Sequence, residues 1–186
     1  QLTIEPNTAF YSNPPTLPDD DTLAAIQEQG EAVLGNAGLK RYEISAWSRP
    51  GEECRHNLNY WQFGDYLALG AGAHGKVTQS GAGSIQRYWK TRQPADYINR
   101  IGTRTAGRDE PKAGDRVLEF MLNALRLSDG VPTSFFEART GLPLSQIEDQ
   151  LQQLRAQGLL ADTPERLVTT ERGRCYLNEV LEAFVP

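Results

Sequence analysis

IGTRTAGRDEPKAGDRVLEFMLNALRL, residues 101–127, is the stretch on which the fold turns. Its first half is polar and holds Gly and Pro; its second half repeats apolar residues at helical spacing. That change of character marks a domain boundary at about residue 105. Downstream, over 106–186, helices dominate. RVLEFMLNALRL (116–127) reads as one, ended by SDGVP, and TSFFEART (133–140) as a second, stopped by Gly141. LSQIEDQLQQLRAQ (144–157) reads as a third, with Ser145 and Glu148 as a capping box and Leu144, Ile147, Leu151 and Leu154 on one face. RLVTT (166–170) reads as a short strand and ERGRCYLNEVLEAF (171–184) as a last helix. Helices followed by a small β wing give a winged-helix-like plan.

Upstream, the pattern is α/β. TIEPNTAFYSNPPTLPDDD (3–21) reads as a strand end, with Leu2 and Ile4 alternating, and then a loop in which Pro14, Pro15 and Pro18 forbid a helix. The Asp run at 19–21 caps a helix over about 20–37, with Leu23, Ile26, Gly30, Val33, Leu34 and Ala37 on one face and Gly38 as its stop. RYEISAW (41–47) reads as a strand. DYLALGAGAHGKVT (65–78) begins as an apolar strand and becomes Gly-rich, and KVTQSGAGSIQRYW (76–89) reads as a hairpin around a Gly/Ser turn. Strand, helix, strand is the unit of an α/β sheet or barrel.

Composition narrows the function. The 186 residues are 39% hydrophobic and 23% charged, with 19 Lys and Arg against 24 Asp and Glu and a formal charge of −5. No basic footprint for nucleic acid or an acidic membrane is present. The third helix carries Glu148, Asp149 and Arg155, the wrong sign for a recognition helix on phosphates. No apolar run approaches the roughly 20 residues of a membrane span, and no signal peptide is visible. Two cysteines, Cys54 and Cys175, are too few for a disulfide framework, so a cytoplasmic location is expected. The chain opens at Gln1 directly into QLTIEP, and the expectation is a piece of a longer protein.

The chemistry-bearing stretch is CRHNLNYW (54–61), with one of only two histidines. On a helix of one or two turns, His56 and Tyr60 share a face, as do Asn57 and Trp61. An imidazole can ligate haem iron, aromatic rings can pack on a porphyrin, and Arg55 can meet a propionate. The alternative is a His and Trp packed in a domain corner. One histidine without a second ligand nearby makes a poor zinc site. GAGAHG (70–75) offers a second candidate, since glycines at a strand end let backbone N–H groups approach a ligand, although the pattern is neither G-x-G-x-x-G nor a P-loop. His74 there sits near a ligand or caps a turn. Glu5 has no partner for acid/base work, and Cys54 has no triad-like surroundings for a thiolate nucleophile.

Taken together, QLTIEPNT, YEISAWSRPGEECRHNLNYWQFGDYLALGAGAHGK, YWKTRQPADYI and FMLNALRLSDGVP resemble the C-terminal half of the radical S-adenosylmethionine family of oxygen-independent coproporphyrinogen III oxidase. Within it they resemble the heme chaperone branch, whose marker His-Asn-x-x-Tyr-Trp stands here as His56, Asn57, Tyr60 and Trp61. The resemblance is strongest over 41–97. It implies the last part of an incomplete (β/α) barrel over 1–105 and a helical domain over 106–186. It further implies heme contact by His56 with Tyr60, Trp61 and Asn57, beside which Arg55 stands as the propionate partner on chemistry alone. Contact of Gly70, Gly72 and Ala73 with S-adenosylmethionine is implied as well, as are a [4Fe–4S] cluster in the intact protein and a hemoprotein acceptor such as a respiratory enzyme. The family's C-x-x-x-C-x-x-C cluster motif is absent from this chain, which should therefore be inactive alone as a radical enzyme. The rival functions are the oxidative decarboxylation of coproporphyrinogen III to protoporphyrinogen IX, and a docking module that touches no small molecule.

Overall fold

The computed structural model describes residues 4–79 and 83–186. Two compact units result: the described part of 1–40 with 47–52, and 41–46 with 53–186.

The first unit holds α1 (Ala9–Ser12) and α2 (Asp20–Asn36). The expected opening strand lies partly outside the described residues, and Ile4 and Glu5 are not in one. Where a continuous loop was expected before Pro14, the Thr8 hydroxyl accepts from the Tyr11 amide and nucleates the single turn of α1. Asp19 caps α2 by accepting from the Thr22 amide at 2.8 Å, as the Asp run implies, and Gly38 follows the helix at φ 78°. None of α2 is buried: Ile26 and Val33 of its apolar face are exposed.

The segment read as one strand over 41–47 is two, β1 (Lys40–Glu43) and β2 (Ala46–Ser48), parted by a turn. Glu43 causes the break. Its carboxylate turns inward, accepts from the Ser45 amide at 3.0 Å and pairs with Arg126 at 3.0 Å. The short helix α3 (Arg55–Trp61) follows. DYLALG is not a strand: among its residues only Tyr66 bridges, to Lys76, and Leu67 and Leu69 are exposed.

The expected hairpin forms from β3 (His74–Gln79) and β4 (Ser84–Lys90), paired antiparallel from His74↔Trp89 to Gln79↔Ser84. Most of its Gly/Ser turn, residues 80–82, lies outside the described residues. After α4 (Pro94–Asn99) the polar stretch read as a link supplies a third strand, β5 (Thr105–Asp109), antiparallel to β4. These antiparallel pairings do not themselves make a (β/α) barrel.

Beyond them, α5 (Ala113–Ala124) drives the core with Val117, Phe120, Met121 and Ala124, all buried. The strand β6 (Val131–Pro132), the helix α6 (Ser134–Thr140), a 3-10 turn over Leu144–Ile147 and α7 (Glu148–Ala156) follow. Then come β7 (Arg166–Leu167), paired antiparallel with β6, α8 (Glu171–Cys175) and α9 (Leu177–Glu182). Gly141 ends α6 at φ 70°, and a Cβ there would stand 2.6 Å from Gly83, so only glycine permits this approach of helix and hairpin. The capping box does not form. Ser145 lies inside the 3-10 turn, Ile147 is the cap residue, and no side chain caps α7. The last helix is two, broken at Tyr176 with φ −112° and ψ 38°. Phe136, Ile147, Leu151, Leu167 and Val180 complete the core around α5.

Candidate functional site: the two faces of helix α3

Helix α3 begins at Cys54, which contributes no side-chain cap, and ends where Gln62 donates to the Leu58 carbonyl at 2.8 Å. Phe63 then reverses the chain at φ 57°, unusual for a residue with a side chain. A buried lysine holds the reversal. Lys76 Nζ donates to the Phe63 carbonyl at 3.0 Å, to Asp65 Oδ1 at 3.1 Å and to the Thr78 hydroxyl at 3.3 Å, and stands 4.2 Å from the centroid of the Phe63 ring. Burial depresses the Lys76 ammonium, with Asp65 opposing. Burial also pushes Asp65 up, but hydrogen bonds from the Thr78 amide and hydroxyl and from Lys76 outweigh it, and the carboxyl titrates below its usual range.

The i, i+4 pairing expected of α3 is present, and its two pairs have separate environments. On one face Asn57 Nδ2 donates to the Tyr42 hydroxyl at 3.2 Å. Trp61 packs against the core, and the Arg126 guanidinium lies 4.3 Å from its ring centroid, itself held by buried Glu43. Trp61 Nε1 is buried and has no hydrogen-bond partner among the described residues. On the other face, the His56 ring meets Tyr60 edge-on at 4.8 Å, and Tyr60 packs on Tyr66 at 4.6 Å. His56 and Arg55 are exposed. Behind the ladder Arg87 grips Glu119 with two bonds of 2.7 and 2.6 Å. Burial raises the Tyr66 hydroxyl, with Arg87 opposing and Tyr60 and Glu119 adding.

Sequence reading placed Tyr60 and Trp61 together as packing partners of a flat ligand. In the structure the two rings lie in separate environments, Tyr60 between His56 and Tyr66 and Trp61 with one face on Arg126. Tyr66, Arg87 and Arg126 were not anticipated. Helical spacing within 54–61 has no counterpart linking it to residues so far along the chain.

Gly70 and Gly72 have φ of 98° and 70°. The Gly70 amide donates to the Tyr97 hydroxyl at 3.3 Å, Gly72 to the Thr91 carbonyl at 2.9 Å and Ala73 to the Gly70 carbonyl at 3.4 Å. These N–H groups are engaged within the chain, and Gly72 forms part of the wall of a recess with His74. Cys54 and Cys175 are free and exposed, and Glu5 is exposed. Among the described residues no cluster of three or more His, Cys, Asp or Glu could hold a metal ion, so these residues do not fit an iron–sulfur cluster. No helix among them is long and apolar enough to cross a membrane.

A family model described as the HemN C-terminal domain matches residues 113–176. "Heme chaperone HemW" of Escherichia coli is 46% identical over 185 residues, covering 100% of this chain and 48% of that protein. The protein of the same name from Haemophilus influenzae is also 46% identical, with the same coverage. Residues 113–176 thus belong to the HemN C-terminal domain family, and the chain is similar along its whole length to proteins named heme chaperone HemW. It spans about half the length of the curated relatives it matches (48%). The solved radical SAM enzyme coproporphyrinogen III oxidase (HemN) from Escherichia coli superposes with a TM-score of 0.60 at 15% identity, over 90% of this chain and 42% of that one. The fold is therefore that of the C-terminal part of HemN, and His56, Asn57, Tyr60 and Trp61 all lie on α3.

Proposed function

We propose that this chain is the heme-handling C-terminal half of a heme chaperone, which binds heme and passes it to a hemoprotein acceptor such as a respiratory enzyme. The observation that carries the reading is the outer face of α3, where the exposed His56 imidazole stands on a Tyr60–Tyr66 ladder. In this reading His56 is the axial ligand, Tyr60 meets the macrocycle edge, and Arg55 meets a propionate. Asn57 and Trp61 hold the helix in place. A lone exposed imidazole suits cargo that must leave, because a ligand from the acceptor can reach the iron and displace it. The 46% identity to proteins named heme chaperones supports this reading over coproporphyrinogen oxidation. The likeness to the oxidase speaks for the fold alone.

Several further parts belong to the same proposal. Residues 1–105 are the last part of the barrel, with Gly70, Gly72 and Ala73 at its S-adenosylmethionine mouth, and 106–186 are a helical, winged-helix-like domain. S-adenosylmethionine and the [4Fe–4S] cluster belong to the intact protein, and its cluster ligands are not in this chain. A cytoplasmic location is supported by the two free, exposed thiols.

The test is a heme titration followed by visible absorption, on the protein and its His56→Ala variant. We expect saturable binding that weakens about tenfold or more in the variant, roughly 1.4 kcal/mol. Equal binding by the two would remove His56 from the site and the reading with it.

A further inference from the structure

Tyr66 stands behind the contact face of α3 and belongs to neither of its i, i+4 pairs. Its ring meets that of Tyr60 at 4.6 Å and 34° because Phe63, between them in sequence, reverses the chain at φ 57°. The backbone under Tyr66 is fastened firmly. Its amide donates to the Lys76 carbonyl at 3.0 Å, and its carbonyl accepts from the Lys76 amide at 2.9 Å. Just beyond, the Ala68 amide donates to the Tyr88 hydroxyl at 3.1 Å. The Lys76 ammonium also holds the Phe63 carbonyl at 3.0 Å, so one residue of β3 fixes both the exit of α3 and the seat of Tyr66.

The consequence falls on Tyr60. The helix backbone limits its rotamers, and the neighbours of the ring select among them. On one side is His56, edge-on at 4.8 Å and 62°, and exposed. On the other is Tyr66, half-buried. An exposed imidazole restrains its neighbour weakly, whereas a half-buried ring on a doubly bonded backbone restrains it well. Order therefore runs outward, from Tyr66 through Tyr60 to His56. The contact is between rings and not between charges, since burial raises the Tyr66 hydroxyl and keeps the phenol neutral.

We infer that Tyr66 is a positioning residue for His56: it holds the Tyr60 ring against the imidazole and so orients the nitrogen that meets the iron. The inference rests on the heme reading of α3. It adds to that reading a residue outside 54–61, which acts through Tyr60.

The test is a hemin titration on the protein and on Tyr66→Leu, Tyr66→Phe, His56→Ala and the His56→Ala/Tyr66→Leu double variant. Tyr66→Leu should weaken hemin binding about fivefold, the size of one aromatic pair. It should also move the Soret band of the bound hemin toward that of His56→Ala. Tyr66→Phe keeps the ring and should restore both affinity and spectrum. In the His56→Ala background, Tyr66→Leu should change affinity by no more than about twofold, because the two residues act in series. Tyr66→Met fills the same space with a flexible side chain and repeats the measurement if leucine unfolds the protein. Parent-like affinity and spectrum in Tyr66→Leu overturn the inference. So does an equal loss with and without His56, which would make Tyr66 an independent contact or a purely structural residue. Failure of Tyr66→Phe to restore binding overturns it too, because the hydroxyl would then be the working group. Dependence on His56 without dependence on Tyr66 leaves the chaperone reading standing, whereas hemin binding indifferent to His56 removes both.

Discussion

The two faces of α3 carry the same motif and do opposite work. Asn57 and Trp61 end on protein: a tyrosine hydroxyl for one, a guanidinium and the core for the other. His56 and Tyr60 end at an exposed imidazole. A four-residue motif is thus half anchor and half contact. The anchor fixes the direction in which the exposed pair points, so residues packed on protein can share a motif with residues that face outward.

The largest effect should come from the anchor. Trp61→Ala removes the stack with Arg126 and the packing against the core, and leaves Arg126 and Glu43 with an open flank. We expect a loss of about 3 kcal/mol, at the low end for such truncations because the ring is partly exposed. His56→Ala on the opposite face should stay within about 0.5 kcal/mol. Urea denaturation measures both. A destabilised His56→Ala beside an unaffected Trp61→Ala would invert the comparison.

Asn57→Ala sharpens it at smaller scale. The bond to Tyr42 is a neutral pair in a part-buried setting, worth about 1 kcal/mol. The same denaturation curve should shift by that amount, while heme affinity of the folded protein stays within twofold. A tenfold loss of heme affinity without loss of stability would move Asn57 from the anchor to the contact.

Much of this was legible in the sequence because it is local. The i, i+4 spacing gives the faces of α3, alternation gives β3 and β4, and Gly141 at φ 70° closes α6 where a glycine stop was read. What failed depended on distant partners. Glu43 breaks a strand because Arg126 waits for it. DYLALG has the composition of a strand, yet only Tyr66 finds a partner. Ser145 and Glu148 have capping-box spacing, but a 3-10 turn moves the cap to Ile147. The site followed the same rule. His56 and Tyr60 could be paired from the sequence, whereas Tyr66 reaches them only because Lys76 fastens the reversal at Phe63.

That fastening supplies the smallest effect and the one with a pH signature. The Asp65 carboxyl is exposed enough that solvent screens it, so its pairing with Lys76 should contribute less than about 1 kcal/mol. Its folded pKa lies below the ordinary 3.8. The unfolded chain therefore binds the proton more readily, and the contribution is present in full above 3.8 and disappears as pH falls through the folded value. Asp65→Asn should be the less stable protein at neutral pH, with the gap closing on the acid side of 3.8. Stability measured in denaturant at a series of pH values reads this directly. A gap that stays constant with pH would mean that Asp65 acts through shape and not through charge. If heme affinity falls in parallel with the neutral-pH gap, the contact face of α3 depends on the lysine lock as well as on the tryptophan anchor.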